Sequence, residues 1–524
     1  MKKGFVEAAQ LSFVPPPVRS YLKGEDRWAP FLEVHESLRP RIEAAIKRKS
    51  FTEAQRAQLF NILSHQKKDN PATLALAERL RHPHCWAIVC GHQPLFLGGP
   101  LFFWYKIAFT IALVQKCRQW FPQYDFVPLF WLASEDHDLQ ELFQVRLPDG
   151  NLHSLPILKD YKGPAGRVPL KEFLSYLRAS PALFQALGLQ PWFPIFLHHY
   201  TGETTLAKAT LRILDELFLP YGLLTLDSDH PELKQALLPI LTLELKQGIV
   251  SKGLSESQAF FAQHHMRIQL RSRDPAIFYI TETERLPLRR NGQGQFLAGN
   301  FKLNIEALLS QPWNLSPNAA LRPLCQEYLL PTAAFIAGPS EFHYWLQLPP
   351  VFRQACISMP ALVLRPLAAW LPKRLLSYPK LKGLYPTELL AQQNLSLRQL
   401  ARLQKTWTAR QQKEVQALRR HLEKLAEYTT LADPALQLSA QATMVHFEKM
   451  INRLQQLTQR AWLRRHQNLT QRLRQAHSHV WPHGELQERS LSIWNMAFLQ
   501  DAHLLAHLFE DFDGEGLYFF EEPV

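Results

Sequence analysis

Between about Pro71 and Pro366 the sequence alternates short apolar runs, each ended by a polar loop, with longer helical stretches, and few folds accommodate that rhythm. Cys85-Trp86-Ala87-Ile88-Val89-Cys90, stopped by Gly91, reads as a buried strand. Leu101 to Trp120, introduced by Gly98-Gly99-Pro100, reads as a mostly apolar helix with proline at its start. Phe126 to Ala133 is a second strand-like run, although Pro128 argues against strand from its first residue. Strand, helix and strand over about 50 residues predict a βαβ unit in a parallel sheet. Leu223 to Leu226, Ile277 to Ile280, Ala333 to Ala337 and Ala361 to Leu364 are expected to extend the same theme.

Composition narrows the class of partner. The 524 residues suffice for two to four domains, and 46% hydrophobic with 20% charged residues excludes wholesale disorder. Lys and Arg exceed Asp and Glu by 59 to 46, and the resulting +13 favours anionic partners without choosing among them. Five cysteines with no CxxC pair exclude a disulfide scaffold and a zinc ribbon. Cys85 and Cys90, at the two ends of a buried strand, are read as structural cysteines rather than as metal ligands with His82, His84 and His92; no metal site is expected. The start of the chain, with Glu7, Gln10 and Pro15 to Pro17, shows no signal-peptide run. The most apolar window, Leu101 to Val114, contains Lys106 and is too short to span a bilayer. The expectation is a soluble cytoplasmic protein.

Polar clusters follow the apolar runs: Gly91-His92-Gln93-Pro94, Ser134-Glu135-Asp136-His137-Asp138, Asp227-Ser228-Asp229 and Gly338-Pro339-Ser340-Glu341. Ligands of open α/β sheets bind beyond the carboxyl ends of the strands, so these loops are expected to converge on one site, with Asp227-Ser228-Asp229 read as an ordinary turn. His92 and Gln93 would donate hydrogen bonds to a transferring oxygen, with Gly98, Gly99 and the helix start as an anion cradle; a turn histidine bonded to backbone is the alternative for His92. Glu135, Asp136 and His137 suit acid–base work on an amine, or Mg²⁺ beside a nucleotide, against the plain alternative of an acidic helix cap. No GxGxxG or P-loop occurs, and Gly292-Gln293-Gly294 carries no meaning as a motif.

After about Pro386 the pattern changes. Leu400, Leu403, Trp407, Val415, Leu418, Leu422 and Leu425 recur at helical spacing, a break falls at Thr429 to Pro434, and Met444, Phe447, Ile451 and Leu454 continue. Two amphipathic helices joined by a turn predict an antiparallel coiled-coil hairpin. Its many Lys and Arg admit a nucleic-acid-binding arm or a solvated dimerisation element; with few aromatics on that face, the second is favoured. The boundaries expected are a core over 1–386, a hairpin over 387–480 and a segment over 481–524 that packs back on the core.

Taken together these segments resemble the bacillithiol biosynthesis cysteine-adding enzyme family. The resemblance rests on His92-Gln93-Pro94 through Gly99-Pro100-Leu101, Tyr105-Lys106-Ile107, Val127 to Trp131 with Glu135 to Asp138, Gly166-Arg167, Ser316-Pro317-Asn318 with Leu321-Arg322-Pro323 and Gln326-Glu327, Gly338 to Glu341 with Tyr344-Trp345, and Leu486 to Arg489. It departs where many members carry Gln for His92 and Gly for Ser340. The resemblance implies a Rossmann-like parallel-sheet core with connecting-peptide insertions plus a long antiparallel coiled-coil hairpin that forms a homodimer. It implies a carbon–nitrogen ligase joining L-cysteine to glucosaminyl-malate, with ATP turned over to AMP or ADP and Mg²⁺ as a candidate companion. On that reading His92, Gln93, Glu135, Asp136 and His137 are catalytic. Gly98, Gly99, Arg322, Gln326, Gly338, Glu341 and Tyr344 bind substrate, with Arg322 and Gln326 expected to hold the malate carboxylates, and Gln487, Glu488 and Arg489 belong to a nucleotide site. A nucleic-acid-binding protein and a catalytically silent nucleotide-holding scaffold are the competing classes.

Overall fold

The computed structural model describes residues 2–33, 37–67, 70–154, 161–202, 204–376, 390–393 and 405–523. The chain divides into two compact units, one of Phe5–Ala368 with Gln487–Tyr518, the other of Met1–Gly4, Ala369–Leu486 and Phe519–Val524.

The larger unit is organised by a five-stranded parallel sheet: β1 (Cys85–His92), β2 (Asp125–Leu132), β3 (Leu224–Asp227), β4 (Thr332–Ala337) and β5 (Ala361–Leu364). The order across the sheet is β3-β2-β1-β4-β5, with every neighbouring pair parallel. The chain winds outward from β1 in one direction, then returns to its other side with β4, so a crevice opens between the carboxyl ends of β1 and β4. These strands are buried almost throughout, which is why they read as continuous apolar runs rather than as alternating ones. Pro128 does lie within β2, opposite Ile88 of β1 and one position before pairing with β3 begins at Leu129.

Helix α1 (Leu101–Trp120) crosses from β1 to β2 and is buried along most of its length, with Lys106 as the charged residue in an otherwise apolar stretch. Before it, Gly98 (φ +74°) and Gly99 (φ +56°) make a turn open to glycine: a Cβ on Gly98 would lie 2.3 Å from the Trp104 ring. Ile277–Ile280 departs from the expected parallel theme. It belongs to a separate antiparallel sheet with Arg285–Arg290, Phe296–Ala298, Phe301–Leu303 and Leu315–Pro317, inserted between β3 and β4. Tight turns at Thr281–Glu284 and Asn291–Gln295 join its strands as hairpins, which parallel pairing does not allow. The polar Gly292-Gln293-Gly294 stretch is one of those turns.

Two short helices complete the crevice: α2 (Arg322–Leu329) before β4 and α3 (Pro339–Trp345) after it. The segment Gln487–Tyr518 lies in the same unit. Glu488 makes a bidentate pair with Arg365 beyond β5 (2.6 and 3.0 Å), and the Trp494 indole donates to the Leu97 carbonyl (2.8 Å). Both charges of the Arg365–Glu488 pair are buried, so each relies on the other to offset its lost hydration.

In the smaller unit, α4 (Lys405–Ala432) and α5 (Gln437–Arg465) form an antiparallel hairpin followed by α6 (Gln467–Val480). The turn is set by Asp433, whose carboxylate accepts from the Ala435 N–H, and by Pro434. Leu400 and Leu403 lie outside the described residues, as does the side chain of Trp407. The seam differs from the expected one. Val415 and Leu422 are half-buried, but Leu418, Leu425, Phe447 and Leu454 remain exposed, by 38–63%. A two-helix hairpin covers one narrow stripe on each helix, so the rest of a broad apolar face stays in water. No helix of the described residues is long and apolar enough to cross a membrane.

Candidate active site

The loops after β1, β2, β4 and β5 surround a cleft of about 570 Å³ at the crevice between β1 and β4. His92 and Gln93 come from the end of β1, Glu135 and Asp136 from the loop after β2, Gly338 and Glu341 from the turn into α3, and Arg365 from beyond β5.

Glu341 ties these elements together. As the third residue of α3 its carboxylate accepts the Gly338 N–H (3.3 Å), as in a capping box. It also receives Lys106 Nζ (2.5 Å) and Arg322 Nη2 (3.4 Å). Burial alone would raise its pKa, yet Lys106 and Arg322 outweigh burial and hold it below the ordinary carboxylate value. Lys106 is itself positioned by the Gly91 carbonyl (2.7 Å), and Arg322 donates to the Tyr344 hydroxyl (2.7 Å), whose pKa burial pushes up to about 12.

His92 is neutral. Burial, and then the Lys106 charge, push its pKa down to about 4. Its Nδ1 lies 3.1 Å from the Gln93 carbonyl, which can only accept, so Nδ1 carries the proton and Nε2 is left as an acceptor. The backbone-bonded turn histidine is therefore the state present, and in that tautomer His92 cannot donate to an oxyanion.

Asp136 stays ionised. Burial pushes its pKa up, but the Gln93 amide (2.8 Å), Arg285 (4.0 Å) and the His137 N–H (2.7 Å) more than reverse this. Arg285 comes from the inserted antiparallel sheet and stacks on Phe278, 4.1 Å from the ring centroid. It donates to Nδ1 of His137 (3.0 Å), so the neutral His137 keeps its proton on Nε2; burial and Arg285 together lower its pKa. Glu135 is buried against Lys234 (2.7 Å), which also serves Asp229 (2.6 Å), itself held by Arg167 (2.5 Å). Burial raises the Glu135 pKa, whereas Lys234 and Arg167 overcome burial at Asp229 and lower its pKa, so of the two carboxyls Glu135 is the one that takes a proton more readily.

The structure thus brings His92, Gln93, Glu135 and Asp136 to the cleft wall, together with Arg322, Gly338, Glu341, Tyr344 and Arg489. Other expected residues lie elsewhere. His137 sits behind Asp136 on Arg285, and Gly98 and Gly99 shape the turn against Trp104 and Leu95 rather than line the cleft. Gln326 is buried and donates to Glu327 (2.8 Å); Gln487 and Glu488 are buried beneath the wall. Asp229, expected as plain turn, is part of the network that holds Glu135. Lys106, Arg285, Arg365, Phe102 and Phe278 line the cleft without having been singled out as site residues. Lys106 did leave a signal, as the lone charge inside an apolar helical run; Arg285 left none. Among the described residues no group of His, Cys, Asp and Glu could hold a metal ion.

A parallel sheet of this order, with a charged cleft at its crevice and a separate helical hairpin, defines a Rossmann-like protein with a coiled-coil unit. The chain belongs to the bacillithiol biosynthesis BshC family: the sequence model of that family's N-terminal Rossmann-like domain matches residues 6–366, and that of its C-terminal coiled-coil domain matches residues 381–519. It is 26% identical over 490 residues to a protein of Cytophaga hutchinsonii named "Putative cysteine ligase BshC", covering 90% of each chain. A protein of the same name from Natranaerobius thermophilus is 30% identical over 363 residues, 65% of this chain and 66% of that one.

The histidine assignment has a measurable consequence. His92 should titrate near pH 4 by NMR, with Nδ1 protonated from pH 5 to 8. Because the unfolded chain protonates this histidine near 6.5, its contribution to stability is complete above that pH and falls away as the pH drops toward 4. His92→Gln should flatten the loss of urea resistance between pH 6.5 and 4.5. A titration midpoint near 6.5 would contradict the assignment.

Proposed function

We propose that this chain forms the amide bond between the carboxylate of L-cysteine and the amine of glucosaminyl-malate, the last step of bacillithiol biosynthesis, with ATP activating the cysteine carboxylate. Family membership and the names of the relatives support the ligase class. The observation that carries the mechanism is the Asp136 carboxylate, fixed by Gln93 and Arg285, on the wall of a cleft whose lining has more Lys and Arg than Asp and Glu.

A carboxylate and an ammonium do not condense in water, because the carboxylate resists attack and the ammonium has no lone pair. Transfer of a phosphoryl or adenylyl group from ATP to cysteine supplies a leaving group. The ammonium first gives up one proton to solvent; the free amine nitrogen then attacks the acyl carbon, phosphate or AMP departs, and the nitrogen sheds its second proton. Asp136 is the acceptor best suited to that proton. Glu135 is occupied by Lys234, and His137 offers only an N–H. Nε2 of His92 can accept a hydrogen bond from a bound substrate, so its role becomes orientation rather than oxyanion stabilisation. Lys106 and Arg322, sharing the single charge of Glu341, leave an excess positive charge beneath the cleft for developing negative charge on the acyl group. Arg489, at the wall with Glu488 and Gln487 behind it, suits a nucleotide phosphate, and Mg²⁺ would arrive with the triphosphate rather than on a protein-held site.

The test is one reaction with purified chain, ATP, cysteine and glucosaminyl-malate, read by mass spectrometry for bacillithiol and for AMP against ADP. Asp136→Asn should lower kcat about 10²- to 10⁴-fold, as expected for loss of a general base. Absence of bacillithiol with the wild-type chain, or full turnover by Asp136→Asn, would contradict the reading. Nucleotide held without turnover would mark a silent scaffold; tight, steeply salt-dependent RNA binding would favour the nucleic-acid class.

We further propose a cytoplasmic homodimer formed through the hairpin. The cysteines are all unpaired, and Leu418, Leu425, Phe447 and Leu454 on the hairpin are exposed apolar side chains that a helical partner would cover. Sedimentation at micromolar concentration should give twice the chain mass, and Leu418→Glu with Leu425→Glu should shift it to monomer. A monomeric wild type would contradict this.

A further inference from the structure

Among the cations that line the cleft, Lys106 and Arg322 face Glu341, Arg285 faces Asp136, Arg365 faces Glu488, and Arg489, assigned above to the nucleotide, rests over Phe102, 5.7 Å from the ring centroid. Arg271 and Arg273 also line the cleft, are exposed, and have no ion pair or hydrogen-bond partner among the described residues. They sit two residues apart on the irregular segment between Ile249–Gln263 and Ile277–Ile280.

That segment is not a loose loop. The Gln347 side-chain oxygen accepts the N–H groups of Gln269 (3.0 Å) and Leu270 (3.1 Å), and Nε2–H of His343 donates to the Arg267 carbonyl (3.0 Å). At its far end Glu244 accepts the Ala276 N–H (2.7 Å), and the Ala276 carbonyl accepts the Asn318 N–H (2.9 Å). Between these anchors Arg273 rests over Phe278, 5.6 Å from the ring centroid, the ring that also carries Arg285. Two guanidinium groups are thus presented to the cleft on a backbone fixed at both ends. Neither has an internal carboxylate to neutralise it, while the inner cations are already committed.

We propose that Arg271 and Arg273 are the clamp for a dicarboxylate, the malyl end of the acceptor, and so set acceptor specificity; the inference rests on the ligase reading above and replaces Arg322 and Gln326 in that role. Each planar guanidinium can take one carboxylate through two parallel hydrogen bonds. Gln326 is buried and bonded to Glu327, and Arg322 is engaged by Tyr344 and Glu341, so neither is free to receive an incoming carboxylate. A dianion on the rim leaves the amine end of the acceptor to reach inward toward Asp136.

The probe is L-malate, titrated calorimetrically into the full-length wild-type chain and into Arg271→Gln/Arg273→Gln, with lactate as the monocarboxylate control and ATP as the phosphate control. The wild type should bind malate at least tenfold more tightly than lactate, and the double variant should lose at least tenfold in malate affinity while holding ATP within twofold. Arg271→Lys/Arg273→Lys should recover only part of the loss, because an ammonium cannot form the fork. In turnover, the Gln variant should raise KM for glucosaminyl-malate at least tenfold and leave KM for cysteine within twofold. Equal malate affinity in wild type and variant, no malate binding by the wild type, or loss of ATP affinity in place of malate affinity would each overturn the proposal. Malate binding that depends on both arginines, in a chain that makes no bacillithiol, would uphold the clamp and reject the ligase reading.

Discussion

A single buried carboxylate, Glu341, holds two cations from different parts of the chain: Lys106 from the helix after β1 and Arg322 from the helix before β4. Removing three charges from water costs several kcal/mol for each ion, and one negative charge cannot fully offset two positive ones. Such a cluster is poor evidence of stabilisation. Its value lies in where it stands, across the crevice created when the strand order reverses between β1 and β4. It draws the ends of both strands to one point and keeps an excess positive charge there. The Gly91 carbonyl and Tyr344 hydroxyl complete the coordination of the two cations, so little freedom remains at the cleft floor.

From that floor the protonation states of the neighbours follow. A nearby ammonium and a buried site make a charged imidazole costly, so His92 is neutral and presents an acceptor. Asp136, by contrast, is given an amide, a backbone N–H and a guanidinium, and stays ionised. The cleft therefore offers a carboxylate able to take a proton beside cations able to receive negative charge, the pairing an acyl transfer to an amine requires. Arg285 links this chemistry to the inserted antiparallel sheet, and the same sheet's leading segment carries Arg271 and Arg273. The insertion contributes to the cleft as much as the parallel core does.

Much of this is legible in the amino-acid sequence. Strands buried on both faces write themselves as unbroken apolar runs, and the polar loops behind them marked the ends where His92, Asp136 and Glu341 meet. The strand order was not legible, because it depends on pairing between segments more than 200 residues apart. Ile277–Ile280 looks like the parallel strands over four residues, and only its hairpin partners reveal the second sheet. Glycines before α1 suggested a cradle; their actual constraint is the Trp104 ring packed where a side chain would be. Arg285 and the arginines at 271 and 273 sit in stretches without periodicity or motif, so nothing local distinguishes them from surface arginines. On the hairpin, spacing identified the helices, but with more apolar positions than one seam can cover it could not say which of them face the other helix.

The most direct test of the account is a crystal structure of the chain with glucosaminyl-malate bound. The acceptor should lie in the crevice between β1 and β4, with its carboxylates on Arg271 and Arg273 and its amine within hydrogen-bonding reach of Asp136. An acceptor seated away from this crevice, or one held there with its amine turned from Asp136 toward solvent, would contradict it.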